Sequence, residues 1–429
     1  MDYFRAKRYL DALPDWEVGR PVLGSIEDYL PRMRALLTRL AEPQQGFRSV
    51  IVGGTNGKGT VASLLAALLR AQGPSVGLYT SPHLHTQRER IRIHGEILAK
   101  DQWAAAVAQL DDCTRDFERE GLGGFSKFEA VTGLAAWAFA EQGVDFGIFE
   151  VGLGGRLDST NILSPKVSIL TTIDLDHMEV LGSSISEIAK DKAGIIKSGI
   201  PIFTSARKRE ALSVITRKAK EVGSPFQRLG REIRITGATR TQKGVLQFRV
   251  ERKGYSVPFI RLPLLGQHQV DNGAIAVSVA QHIGVKKKWI EKGLASLQLP
   301  GRIEVVRRRP DMIVDVGHNP AAIRALVRAL PARKGKSWLV FGAAQDKDWE
   351  EMLRILKPHV DAGFMTRANH PRACSPSDLA RAAHFPAEAV SSVSEAVSLA
   401  QSRSTKKDRI LITGSFSVAG EALKGVLSS

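Results

Sequence analysis

Cysteine is scarce: Cys113 and Cys374 are the only two in 429 residues, and neither has Cys or His partners at metal-ligand spacing. That excludes a disulfide framework and a structural zinc site, and it suits a reducing compartment. Long apolar runs are also lacking. The longest, Val61 to Leu69, is broken by Ser63 and falls far short of the ~20 residues that span a bilayer. The opening stretch MDYFRAKRYLDALPDWEVGR has neither the apolar run nor the small-residue cleavage site of a secretory signal. A cytoplasmic protein with no membrane partner is expected. No repeat of solenoid length and no low-complexity segment is present.

A basic tail is missing as well, although charge is lopsided, with 61 Lys plus Arg against 44 Asp plus Glu and a formal net charge of +17. Residues 301–429 hold 20 basic and 13 acidic residues, so the excess is spread along the chain. Only short clusters stand out, at Arg207–Arg209, Lys286–Lys288 and Arg307–Arg309. Without a binding stripe, nucleic acid is not an expected partner, whereas small anionic substrates are.

What is present is alternation. Strand-like and helical runs follow one another almost from end to end, the pattern of a mostly parallel sheet covered by helices. Arg48–Val52 reads as a strand, followed by a glycine-rich turn and a helix over Val61–Gln72. Helices are expected near Gln102–Arg119 and Lys127–Gln142, and buried strands at Val144–Val151 and Val167–Thr171. Ser184 and Glu187 have capping-box spacing, so a helix should run on through Lys192. Between Arg231 and Pro263 the pattern turns β-rich, and a helix restarts near Val270. A fresh α/β series follows Leu299-Pro300-Gly301. The expected fold class is therefore α/β, with a P-loop-containing domain over residues 1–298 and a smaller, doubly wound, Rossmann-like domain over 299–429.

The most specific segment is Gly53-Gly54-Thr55-Asn56-Gly57-Lys58-Gly59-Thr60, between an apolar strand and an Ala/Leu-rich helix. Glycines let backbone amides close on phosphate oxygens, the helix start adds positive potential, and Lys58 adds a charge for the outer phosphates. It departs from a strict Walker A pattern, with Val52 in place of the first glycine and Gly59 between Lys58 and Thr60. The second signal is Glu150-Val-Gly-Leu-Gly-Gly155-Arg156-Leu-Asp158, an acid at the end of a buried strand. Glu150 there suits a magnesium ligand or, equally, an ion pair with Arg156.

Together these segments resemble the folylpolyglutamate synthase and dihydrofolate synthase family within the Mur ligase superfamily. The resemblance is an ordered series from about residue 20 to 425. Gly54–Thr60 is similar to the family's P-loop, Thr80-Ser-Pro-His-Leu84 with Glu89-Arg-Ile91 to its serine loop, and Glu150–Asn161 to its glycine-rich acidic signature. Asp176-His177, Lys192-Ala-Gly-Ile195, Gly266-Gln-His-Gln269 with Asn272, Pro300–Glu304, Asp315–Pro320, Asp346-Lys-Asp348 and Thr413-Gly-Ser415 complete it. Two positions depart from the family's pattern: Val316 stands where Gly-Ala is usual, and Gly273 follows Asn272 where Ala is usual.

The resemblance implies an ATP-dependent ligase that adds L-glutamate to dihydropteroate, to a reduced folate, or to both, through an acyl phosphate. It implies that Gly54, Thr55, Asn56, Gly57, Lys58, Gly59 and Thr60 hold ATP together with Asn272, Arg302 and Asp315. It further implies two Mg²⁺ sites, with Ser81 and Glu150 at the first, and His177 and a carbamylated Lys192 at the second. Lys58, His177, Lys192 and His318 are the implied catalytic set, and Ser126, Phe128 and Asp158 the implied pterin site. Residue type alone leaves Lys192 readable as an ordinary lysine outside a helix, His177 as structural, Phe128 as core and Arg302 as an interdomain ion pair. A monomer with only small-molecule partners is expected. Two rivals are a Mur-type amino-acid ligase acting on a cell-wall nucleotide precursor and a nucleotide-regulated P-loop binding protein. With only about 47 residues ahead of the strand that leads into the P-loop, the chain is short for the first; His177, Lys192 and the Asp315/His318 segment are superfluous for the second.

Overall fold

The computed structural model describes residues 1–15, 17, 29–117, 119–241, 245–295, 297–332 and 334–427. Residues 20–28, where the family resemblance begins, lie outside the described residues.

Eight strands form the first sheet: β1 (Arg48–Gly53), β2 (Val76–Tyr79), β3 (Ile91–Ile93), β4 (Glu96–Ile97), β5 (Phe146–Glu150), β6 (Val167–Leu170), β7 (Ile202–Thr204) and β8 (Phe226–Arg228). Their order is β4-β3-β2-β5-β1-β6-β7-β8, parallel except for the antiparallel β2/β3 and β3/β4 pairs. β1 lies at the centre and is buried on both faces beyond Arg48, which explains its apolar Val50-Ile51-Val52 run. Its side chains divide between two cores. Ile51 joins Leu36, Trp103, Leu134 and Phe139 on one side, while Val50 and Val52 join Leu64, Leu68 and Ala274 on the other. The second core is capped by an antiparallel sheet of β9 (Ile233–Arg240), β10 (Leu246–Arg252) and β11 (Tyr255–Leu262), whose Phe248, Val250 and Leu262 pack with the helix His268–His282. Gly273 on that helix has a steric reason: a methyl there would lie 2.9 Å from Phe248 Cζ.

The later strands are β12 (Glu304–Arg307), β13 (Asp311–Val314), β14 (Ser337–Phe341), β15 (Ala362–Met365), β16 (Ala387–Ala389) and β17 (Arg409–Thr413). They form a sheet ordered β12-β13-β17-β14-β15-β16, parallel except for β12/β13. Val314, Val340 and Ile412 face the helices Val393–Arg403 and Phe416–Leu427, whereas Ile313, Phe341 and Leu411 face Pro320–Ala329 and Trp349–Leu356. Both α/β series therefore have helices on both faces of the sheet, as the alternation requires.

Element boundaries differ from expectation in physically simple ways. The helix after the glycine-rich turn begins at Lys58, because the turn's last residues already adopt helical geometry. The helix expected over Gln102–Arg119 spans Lys100–Thr114, and residues 115–117 follow as turn. β16 was not expected: it is a three-residue, largely exposed edge strand without an apolar pattern.

Candidate active site

The phosphate loop follows β1, and Gly57 caps the helix Lys58–Gln72 in a left-handed conformation with no side-chain cap. That end of the helix has no side-chain cap, the ordinary arrangement for binding an anion, although the Gly59 amide is met by Glu150. Thr55 is tied to the β6 exit, its amide donating to the Thr172 carbonyl at 2.6 Å and its hydroxyl to the Asp174 carbonyl at 3.2 Å. Lys58 Nζ rests on the Thr55 carbonyl at 3.2 Å, and Thr60 is buried. Glycine is needed where other segments approach. A Cβ at Gly57 would lie 2.6 Å from Asn272 Oδ1, and one at Gly59 would lie 3.1 Å from Glu150 Oε2 and 3.6 Å from Arg302 Nη2. Three expected ligand residues from remote parts of the chain therefore meet at the loop.

Glu150 ends β5 beside Val52 of β1, and its Oε2 accepts the Ser81 amide at 3.0 Å. Burial raises its pKa, opposed by the nearby Lys58 charge and the Ser81 amide. Arg156 is paired instead with Asp191, at 3.8 Å, so the Glu150–Arg156 ion pair does not form. Lys192 ends the helix Ile185–Lys192, which starts with the expected capping box between Ser184 and Glu187. Its side chain is not on the outside: it is 5% exposed, and Nζ donates to the Gly54 carbonyl at 3.1 Å. Burial, reinforced by the Lys58 charge, lowers the Lys192 pKa to about 7.

His177 occupies a left-handed backbone position (φ 50°) with its side chain 38% exposed; partial desolvation, opposed by Asp176, lowers its pKa to about 3. Asp176 beside it gathers the second half of the chain. Its carboxylate accepts Lys347 Nζ at 2.7 Å and Asn319 Nδ2 at 2.9 Å, and lies 3.7 Å from His318 Nε2. Burial opposes ionisation of this acid, but His318 and Lys347 outweigh it and hold the carboxyl below the usual range. Asn319 also exchanges side-chain hydrogen bonds with Asn56 of the phosphate loop, at 3.1 and 3.2 Å. Sequence reading assigned no role to Asp176, Asn319 or Lys347. The Asp-His, His-Asn-Pro and Asp-Lys-Asp motifs that contain them were visible, but spacing alone does not reveal that they converge.

Arg302 is partly buried with Asp315 and Glu150 as its charged neighbours, and its guanidinium lies 5.1 Å from the Phe416 ring centre. Asp315 does not project freely into the cleft: its oxygens accept the Ile303 amide at 3.0 Å and the Gly317 amide at 2.8 Å, fixing the backbone on either side of the β12–β13 pair. His318 Nδ1 lies 3.2 Å from the Val316 carbonyl, which leaves Nε2 turned towards Asp176.

The implied pterin residues form a neighbouring group. Phe128 packs on Gly152, where a Cβ would lie 2.5 Å from its ring, and its centroid is 5.9 Å from that of Tyr79. Asp158 accepts the Gly152, Leu153 and Thr160 amides, each at 3.0 Å, so its charge shapes the glycine-rich turn. The Ser126 hydroxyl donates to Glu129 at 2.6 Å and caps the helix Lys127–Glu141, while Glu129 in turn holds the buried Arg32.

The chain matches the Mur ligase middle domain over residues 125–280 and the Mur ligase glutamate ligase domain over residues 301–416. It is 34% identical over 418 residues to the dihydrofolate synthase/folylpolyglutamate synthase of Bacillus subtilis, covering 95% of this chain and 96% of the relative. The Escherichia coli protein of the same name is 34% identical over 404 residues, covering 92% of this chain and 90% of its own. Among solved structures, the Mycobacterium tuberculosis folylpolyglutamate synthase complexed with ADP superposes with a TM-score of 0.91 at 29% identity, covering 99% of this chain and 98% of that one. The E. coli FolC in complex with DHPP and ADP gives 0.88 at 30%, covering 100% and 98%. The chain thus belongs to the dihydrofolate synthase/folylpolyglutamate synthase family, ATP-dependent glutamate ligases built on Mur ligase domains.

Proposed function

We propose that this ligase adds L-glutamate to both dihydropteroate and reduced folates, a reading supported by its likeness to B. subtilis and E. coli proteins named dihydrofolate synthase/folylpolyglutamate synthase. The observation that carries the ligase reading is the convergence of Glu150, Asn272 and Arg302 on the phosphate loop, with Asn319, His318 and Lys347 facing it through Asp176. A carboxylate is a poor electrophile. Its oxygen takes the γ-phosphoryl group of ATP, ADP leaves, and the resulting acyl phosphate is attacked at carbon by the glutamate amine. The amine loses a proton, and inorganic phosphate departs with the electrons of the C–O bond.

Charge on the moving phosphoryl group is met by the loop amides, Lys58 and Arg302, whose guanidinium donors are planar and permanently charged. Units 1–298 and 299–429 closing on one another would exclude water that otherwise hydrolyses the acyl phosphate. His318, oriented by the Val316 carbonyl and facing Asp176, would meet the arriving glutamate.

Among the described residues no group of three or more His, Cys, Asp or Glu side chains could hold a metal unaided. That suits Mg²⁺, which usually takes one or two carboxylates and completes its shell with water and substrate phosphates. Buried Glu150, with Ser81 beside it, would hold the first ion, and neutral His177 with Lys192 the second. Bound there, Mg²⁺ supplies positive charge to the phosphates and the acyl phosphate. For Lys192 to serve as a ligand its ammonium charge must go: its neutral amine bonds to the carbon of CO₂, releases a proton and becomes a carbamate anion. A lysine lowered to about 7 has that neutral amine available near neutral pH. Phe128 would stack on the pterin, with Asp158 and Ser126 at its edge. We take the working unit to be a cytoplasmic monomer with small-molecule partners only; no helix among the described residues is long and apolar enough to cross a membrane.

The test is phosphate release with Mg²⁺-ATP and glutamate, comparing dihydropteroate, tetrahydrofolate and a UDP-muramyl acceptor, with products weighed by mass spectrometry. A glutamate mass added to both pterins is expected. Addition to one alone would narrow the activity, and addition only to the muramyl acceptor would overturn the reading.

A further inference from the structure

At the opposite end of the central strands a second site is built that the ligase reaction does not use. Arg48 begins β1, Asp145 precedes β5 and Lys166 precedes β6, and together with Arg34, Glu42 and Gln44 they line a cavity of about 730 Å³. The phosphate loop leaves the carboxyl end of β1, so a whole strand length separates the two sites.

The charges in this cavity are unevenly committed. Both acids are engaged: Glu42 accepts the Thr38 hydroxyl at 2.5 Å and the Gln44 side-chain amide, and Asp145 accepts the Ser75 amide at 2.7 Å. Two of the three cations are not, and the third, Arg48, gives only its Nε to the Asp145 carbonyl, at 3.5 Å. Among the described residues no hydrogen bond or ion pair engages the Arg34 guanidinium or the Lys166 ammonium, and both residues are exposed at the cavity. Arg48 lies flat over Phe146, 3.9 Å from the ring centre, holding its guanidinium at the rim. Gln44 Oε1 is buried and has no donor. An unpaired buried acceptor costs about 1–3 kcal/mol, so a bound N–H group would be favoured there. The lip of the cavity is also strained: Ala41 and Glu42 are consecutive non-glycine residues with φ of 63° and 53°.

We propose that this cavity is a second ligand site for a mononucleotide, a small organic phosphate whose base carries N–H donors. Arg34, Arg48 and Lys166 meet the phosphate, and Gln44 Oε1 receives a base N–H. Guanidinium and ammonium groups give charge-assisted bonds to phosphate oxygens, and the volume falls within the roughly 300–1,000 Å³ of small-molecule sites. The inference does not depend on which substrate the ligase accepts.

The test is equilibrium dialysis of labelled AMP against the full chain, with its phosphate loop first saturated by Mg²⁺ and a non-hydrolysable ATP analogue. A further equivalent of AMP is expected to bind. The double variant Arg34→Glu/Lys166→Glu should weaken it about tenfold or more while phosphate release without AMP stays unchanged. Gln44→Leu, a milder change that keeps the charges, should weaken AMP but leave inorganic phosphate binding as it was. No further equivalent in the wild-type chain, or equal AMP affinity in a folded charge-reversed variant and in Gln44→Leu, would overturn the proposal.

Discussion

The carboxyl edges of the two parallel sheets meet in the cleft, yet they use charge in opposite ways. On the eight-stranded sheet, Lys58, Glu150 and Lys192 make few bonds to the protein and keep their polar ends close to the phosphate loop. On the six-stranded sheet, charge and polarity go first into the fold. Asp315 fixes two backbone amides, and Asn319 caps its own helix through the Ala322 amide at 2.9 Å. In the proposed reading the first edge supplies most of the charge at the reacting groups, and the second mainly holds geometry, Arg302 and His318 being its exceptions. Asp176 is where they are joined, an acid of the first sheet held by Lys347 and Asn319 of the second.

The contrast predicts a ranking of effects. Lys58→Ala, which deletes charge at the phosphates, should lower kcat/KM about 10³-fold with the circular dichroism spectrum unchanged; near-normal turnover would remove Lys58 from the reacting side. Lys192→Ala should lose roughly 10²-fold, with partial return in acetate, a carboxylate able to stand in for the carbamate; mass spectrometry of the wild-type chain should find the added CO₂. The pH profile sharpens the same point. With the Lys192 pKa near 7, the amine is increasingly protonated as pH falls through that value and cannot add CO₂, so activity should fall there and recover with added bicarbonate. A profile flat between pH 6 and 8, read on a logarithmic scale of about one unit per tenfold, would detach Lys192 from the reaction. Asp176→Asn should cost about 10–100-fold, chiefly in the KM for glutamate, because it loosens positioning instead of deleting a reacting charge. Asn319→Ala should be the mildest, losing about 1 kcal/mol of thermal stability as a helix cap goes.

The first edge was the more legible in sequence. A glycine-rich turn between an apolar strand and an Ala/Leu helix, or an acid closing a buried strand, is local, and local patterns carry their own geometry. Ser184 and Glu187 announced the helix that delivers Lys192, but its inward direction follows from packing that no local pattern records; only the family resemblance pointed to it. The second edge was less legible because its function lies in meetings. Asn56 with Asn319 and Asp176 with Lys347 join positions more than a hundred residues apart. The antiparallel sheet was legible only as a β-rich stretch, since its alternation shows one buried face without naming the helix that covers it.

Arg302 sits between Gly301 and Ile303, which have φ of 68° and 50°, and the amide of Ile303 is held by Asp315. A β-branched residue in the left-handed region is rare and persists only where its surroundings insist on it. The guanidinium that touches the phosphate loop is consequently bolted to the six-stranded sheet. If Arg302 binds the nucleotide as proposed, any hinge motion would carry this cation to it or withdraw it, and the protein's grip on ATP would report the distance between its own two halves.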